Sequence, residues 1–205
     1  MPQADIAQPP SRRDEKRRHI LEVAAACFGK RGFRGTGMAE ICEAAGMSAG
    51  NLYRYFPSKE AMICALVDVE REETAALFRT VEDTDDPLAA VTALLMRYLT
   101  LTTDASGHQL WLETLAEGAR NPEVRAVLDR SDREVRPALV HLIGRAVEFG
   151  QADPALDREM AAVWLLAIID GFSARIATDP ASDADILIAS LPRLIRRCLS
   201  PSLSP

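Results

Sequence analysis

Apolar residues recur every three or four positions along most of the chain, the repeat of a one-sided α-helix. Ile20, Leu21, Ala24, Ala25 and Phe28 form the first stripe, and Gly32 supplies a left-handed stop, which predicts a helix from about Asp14 to Arg31. Met38, Ile41, Cys42 and Ala45 form a second stripe, on a helix starting near Thr36 or Gly37. Gly46 then permits the positive φ of a helix terminus. Ser48 can cap a third helix that turns Leu52 and Phe56 inward and stops at Pro57. Ser58 can cap a fourth, running as far as Val81. After the break at Thr84–Pro87, helices are expected at Leu88–Asp104, His108–Ala119, Pro122–Phe149, Leu156–Ala177 and Asp183–Leu199. Gly107, Arg136–Pro137 and Pro192 are candidate interruptions. No segment alternates as a strand does, and no internal repeat is visible. The predicted fold class is all-α.

The two short helices stand out. Gly35 to Lys59, GTGMAEICEAAGMSAGNLYRYFPSK, reads as helix, tight turn, second helix with small and hydrogen-bonding side chains, and an aromatic run closed by lysine. This is the layout of a helix-turn-helix, whose second helix can enter a DNA major groove.

Charge strengthens that picture. The 205 residues carry a net charge of −6, unpromising for a DNA binder, but the charge is unevenly divided. Residues 1–62 hold 10 Lys+Arg against 7 Asp+Glu, whereas residues 63–205 hold 14 against 23. A basic head on an acidic body brings only the head to phosphate. Residues 1–11, with Pro2, Pro9 and Pro10, read as a mobile arm. The run Arg12–Arg18 is either a solvated helix end or an arm reaching DNA.

Other classes find little support. The N-terminus lacks the apolar core of a signal peptide, and the apolar run Met160–Ile169 ends at Asp170, too short to span a bilayer. A cytoplasmic protein without membrane contact is expected. Cys27, Cys42, Cys64 and Cys198 form no CxxC pair and read as free thiols. The three histidines are scattered, and neither metal-ligand spacing nor a phosphate-cradling loop is present. Catalytic residues, metal site and cofactor are therefore all predicted to be none, and the chain is not expected to be an enzyme.

AAACFGKRGFRGT followed by IxxAAGMSxGNLYRYFPSKEAM resembles the TetR family of bacterial transcriptional regulators, over about residues 14–66. The resemblance implies an all-helical homodimer, each subunit with an N-terminal three-helix DNA-binding domain joined by a fourth helix to a larger ligand-binding domain. It implies a regulator, most often a repressor, that leaves its double-stranded operator when a small-molecule effector binds. The corresponding divisions are residues 1–11 as arm, 12–62 as DNA-binding domain with the start of the linking helix, and 63–200 as effector-binding and dimerisation domain. By family position, Ser48, Ala49, Gly50, Asn51 and Tyr53 face DNA, while Tyr55, Lys59 and Thr36 stand where the family contacts phosphate. Gly37 replaces a common second hydroxyl. Chemically, the Asn51 amide suits adenine N6 and N7, Ala49 suits a thymine methyl, and Gly50 permits close backbone approach. Two heads at half-sites about 34–36 Å apart would read a roughly palindromic operator.

In the body, Met160 to Ile176 is apolar on nearly every side, and the last helix carries Leu187, Leu191, Leu194, Ile195 and Cys198 on one stripe. Two readings fit: an ordinary core, or a four-helix interface between subunits built on Trp164, Ile168, Gly171, Leu187, Leu191, Leu194 and Ile195, as the resemblance implies. The effector-binding residues are unassigned. Nothing in the sequence separates repressor from activator, and a helical protein-interaction module is the remaining alternative.

Overall fold

Ser11 starts the first helix in the computed structural model, which describes residues 11–81, 83–100, 105–179, 181 and 183–200. Its hydroxyl accepts from the Asp14 N–H at 3.2 Å, and the Asp14 carboxylate accepts from the Ser11 N–H at 3.2 Å. This reciprocal cap begins α1 (Arg12–Gly35) two residues before the expected start. The rest of the predicted arm, residues 1–10, lies outside the described residues.

Eight more helices follow: α2 (Met38–Ala44), α3 (Ala49–Tyr53), α4 (Lys59–Val81), α5 (Pro87–Thr100), α6 (Ala105–Gly118), α7 (Pro122–Glu148), α8 (Arg158–Thr178) and α9 (Ala184–Leu199). No strand occurs among the described residues. Side chains of Asn121, Asp157 and Asp183 accept from backbone N–H groups and start α7, α8 and α9. Three expected interruptions are absent. Gly107 lies inside α6, and Pro137 and Pro192 lie inside α7 and α9. Each proline costs one backbone hydrogen bond, but packing of flanking side chains such as Val135, Ala138 and Leu139 outweighs that loss.

The apolar residues separate into two cores. The first gathers Ile20, Leu21, Ala24 and Phe28 of α1, Ile41, Cys42, Leu52 and Phe56 of the helix-turn-helix, and Met62, Ile63, Ala65 and Val67 of α4. Val124 and Val127 of α7 also join it, so this core runs past residue 62 into the body. The second is built from α5, α7, α8 and α9, with Leu77, Phe78 and Val81 at the far end of α4 packed against it. The single rod α4 therefore touches both cores.

Leu191 and Ile195 are fully buried in the second core, as is Leu199 one turn on. They leave the predicted dimer face, because a side chain sealed inside its own subunit cannot contact another. Within that expected set, Trp164, Gly171 and Leu194 are exposed, and Ile168 and Leu187 are half-buried. The apolar stretch of α8 also continues beyond Asp170. The helix is 21 residues long with a mean hydropathy of 1.6 over an 18-residue window, long and apolar enough by those measures to cross a membrane. The expectation of a run too short to span is corrected accordingly. In this fold α8 packs against α5, α6, α7 and α9.

Glu70, facing inward from α4, keeps one carboxylate oxygen without a hydrogen-bond partner. Burial first, and the neighbouring Glu73 second, push its pKa up to about 7 against the relief offered by Arg97. The folded state thus holds this proton more tightly than the unfolded chain. The stability it confers is complete below the ordinary carboxylic pKa and is lost as pH rises through about 7. Glu70→Gln should accordingly stabilise the fold at pH 8 by on the order of 2 kcal/mol and do much less at pH 4.5. Urea unfolding at the two pH values measures the difference.

Candidate nucleic-acid interface

The helix-turn-helix is shaped by backbone geometry at two glycines. Gly46 has φ +60°, the Met47 N–H reaches back to the Cys42 carbonyl at 2.9 Å, and the Gly46 N–H reaches that of Glu43 at 3.1 Å. This paired closure ends α2 and turns the chain sharply into α3. Leu52 and Phe56 anchor α3 from below, at 0 % and 2 % exposure. Anchoring one side fixes the other outward: Ser48, Ala49, Gly50, Asn51 and Tyr53 are all exposed. Five of the eight expected DNA-facing residues therefore form one continuous surface.

Ser48 precedes α3, but its side chain makes no cap hydrogen bond. The hydroxyl is thus open to solvent instead of closing the helix. Tyr55 is half-buried against the first core, at the edge of the exposed surface. Arg54, which the sequence pattern did not single out, is exposed directly beside Tyr53.

The other two expected residues turn inward. Thr36 is 1 % exposed, and its hydroxyl reaches the carbonyls of Gly32 at 2.9 Å and Cys27 at 3.1 Å. It leaves the phosphate-contacting set because it faces the end of α1. The Lys59 ammonium donates to the carbonyls of Phe33 and Thr36, both at 2.8 Å, and lies 4.6 Å from the centre of the Phe33 ring. Two of its three donors are spent inside the protein. Lys59 is thus an internal staple in this geometry.

Both inward turns answer one local feature. At Gly32, φ +72° and ψ 163° break the helical path of α1, leaving backbone groups that no helix satisfies. Thr36 and Lys59 take up carbonyls on one side. On the other, the Phe33 N–H donates to the Glu113 carboxylate of α6 at 3.1 Å. A side chain at Gly32 would approach that carboxylate to 3.3 Å. Eighty positions separate Glu113 from Phe33, and no local sequence pattern signals their meeting.

Two of the cysteines are poorly placed for competing chemistry. Burial pushes the Cys27 and Cys64 thiols above their ordinary pKa, which disfavours the reactive thiolate. No cluster of three or more His, Cys, Asp or Glu suited to a metal occurs among the described residues.

Comparison with known proteins agrees at both ends of the chain. Residues 20–66 match the family described as bacterial regulatory proteins, tetR family, and residues 87–200 match the C-terminal region of BetI-type transcriptional repressors. The HTH-type transcriptional regulator UidR of Escherichia coli K12 is 32% identical over 170 residues, covering 82% of this chain and 85% of that protein. The solved structure of Salmonella enterica GusR superimposes with a TM-score of 0.72 at 29% identity, covering 96% of this chain and 99% of the other. The structure of AibR in complex with isovaleryl coenzyme A and operator DNA is similar in fold, with a TM-score of 0.70 at 22% identity over 87% and 97% of the two chains.

If Lys59 is a staple, removing it injures the protein with no DNA present. Lys59→Met should lower unfolding stability by about 1.5–3 kcal/mol in the free protein, the range for charged hydrogen bonds. A calorimetric melt is sufficient. An unchanged melt with weakened DNA binding would return Lys59 to the phosphate-contacting set.

Proposed function

The chain belongs to the TetR family of bacterial transcriptional regulators, and we propose that it is a homodimeric repressor that binds a roughly palindromic operator and releases it when a small-molecule effector enters the body. Regulation through DNA binding follows from the family. The surface of α3 carries the finer reading: small residues and one amide, exposed together on a firmly anchored helix.

In this reading residues 12–62 are the DNA-binding head and residues 63–200 the effector-binding and dimerisation body. Asn51 reads a base edge, Ala49 and Gly50 let the helix approach, and Ser48, Tyr53 and Tyr55 hold phosphate or the groove wall. Operator binding places the protein in the cytoplasm.

Subunit pairing uses the outer faces of α8 and α9. Met160, Val163 and Trp164 lie exposed on α8, and Ile186 and Leu194 on α9. Trp164 is 64% exposed, an unusual cost for so large an apolar ring in an isolated subunit. A side chain added at Gly171 would meet nothing within 4 Å, so another helix has room to approach there. Two heads joined in this way bind two half-sites at once, and their affinities combine.

The effector acts through α4. Its C-terminal half lies against the second core, and its first residue, Lys59, holds the backbone from which α2 starts. A displacement of this helix by a ligand in the body would move the staple and with it the head.

Two substitutions separate these roles. Asn51→Ala should weaken operator binding by about tenfold, the lower part of the range for one base contact, without changing the salt slope. Trp164→Glu should give a monomer by analytical ultracentrifugation and lower operator affinity at least about a hundredfold. Unaltered dimerisation in Trp164→Glu would remove α8 from the interface.

A further inference from the structure

We propose that the cavity between α4, α5 and α7 is the effector site and that it takes a small apolar carboxylic acid bearing a second polar group, bound as the anion. This rests on the reading of the protein as an effector-released repressor. The cavity holds about 230 Å³ and is walled by Ala75, Phe78, Leu94, Val135 and Ala138. That is smaller than a site for a drug-sized ligand, which spans roughly 300–1,000 Å³.

Thr74 marks the cavity as built for a ligand. It lies in the lining, it is 1% exposed, and its hydroxyl has no hydrogen-bond partner. A threonine inside a helix commonly gives its proton to the carbonyl one turn back. Thr92, Thr114 and Thr178 all do so in this protein, at 2.7–2.9 Å. Thr74 does not, and a buried hydroxyl left open is unfavourable until something bonds to it.

Charge selects the ligand's sign. The lining includes Arg71, Arg79 and Glu134. Both Glu134 oxygens accept from one Arg71 nitrogen at 2.9 Å, so these two charges neutralise each other. Arg79 is exposed at the rim and has no carboxylate partner among the described residues. An unmatched guanidinium beside apolar walls suits a carboxylate on a hydrocarbon or aromatic body. The open Thr74 hydroxyl, five residues back along the helix, suits a hydroxyl or carbonyl remote from that carboxylate.

The neighbouring cavity contrasts with it. Val135 also borders this second space of about 210 Å³ between α6, α7 and α8, whose charged lining is Asp129, Asp132 and Asp170. Its inner carboxylate, Asp170, already accepts from the Trp111 indole N–H at 2.9 Å. That space repels an anion and holds no open buried donor.

Calorimetric titration of the intact protein tests the assignment with 4-hydroxybenzoate, benzoate and neutral 4-hydroxybenzamide as probes. The expected result is one site per chain for 4-hydroxybenzoate, with the amide about five- to tenfold weaker. Arg79→Gln should abolish that preference. Thr74→Val should abolish the advantage of 4-hydroxybenzoate over benzoate while leaving the melting temperature equal or higher, because the open hydroxyl is gone. Equal binding of acid and amide, indifference to Thr74→Val, or no saturable binding of any probe overturns the proposal. Gel-shift titration of the same samples against the protein's own upstream DNA keeps the two readings apart. DNA binding without acid binding defeats only the ligand assignment, whereas loss of DNA binding in the unmodified protein defeats the repressor reading.

Discussion

The left-handed backbone at Gly32 is the constraint on which the rest of the arrangement depends. It breaks α1 within its last turn and leaves polar backbone groups in a region too buried for water to satisfy them. Three side chains from three parts of the chain meet that demand: Thr36 from the loop before α2, Lys59 from the start of α4 and Glu113 from α6. The same bonds that satisfy the backbone fix where α2 begins, where α4 begins and how both sit against the body. The exposed face of α3 inherits its position from them.

That junction gives α4 a double role. Its N-terminal end is tied to the head through Lys59, and its C-terminal end carries the orphan Thr74 and the aromatic wall of a cavity. A continuous helix transmits displacement along its length, because shortening or bending it breaks backbone bonds. The acidic body and basic head complement this arrangement. Operator phosphate is repelled by the acidic body and attracted by the basic head, whose positive charges lie mostly along α1.

Much of the fold was legible in the sequence because its signals are local. Gly32 and Gly46 were identifiable as stops, and both adopt positive φ. The inward stripes on α1, α2 and α3 face the first core as their spacing implied. The errors have a common physical origin. Pro137 and Pro192 are poor helix residues, yet they sit in helices that tertiary packing sustains. Leu187, Leu191, Leu194 and Ile195 share one broad stripe, but only Leu191 and Ile195 are sealed inside the subunit. Periodicity says that a face is apolar, not what covers it.

The candidate DNA surface divides along the same line. The sequence by itself determined an all-helical chain, a helix-turn-helix with its turn at Gly46, and the outward turn of Ala49, Gly50 and Asn51, since these follow from residue type and short-range spacing; Ser48 and Tyr53 joined that set through the family resemblance. Only the tertiary structure decided that Thr36 and Lys59 point inward and that Glu113 joins them. A hydroxyl or an ammonium can bond to a phosphate, to water or to a stranded carbonyl, and a carboxylate to water or to a stranded N–H. Which partner each one takes is set by what the fold leaves unsatisfied within about 3 Å of it.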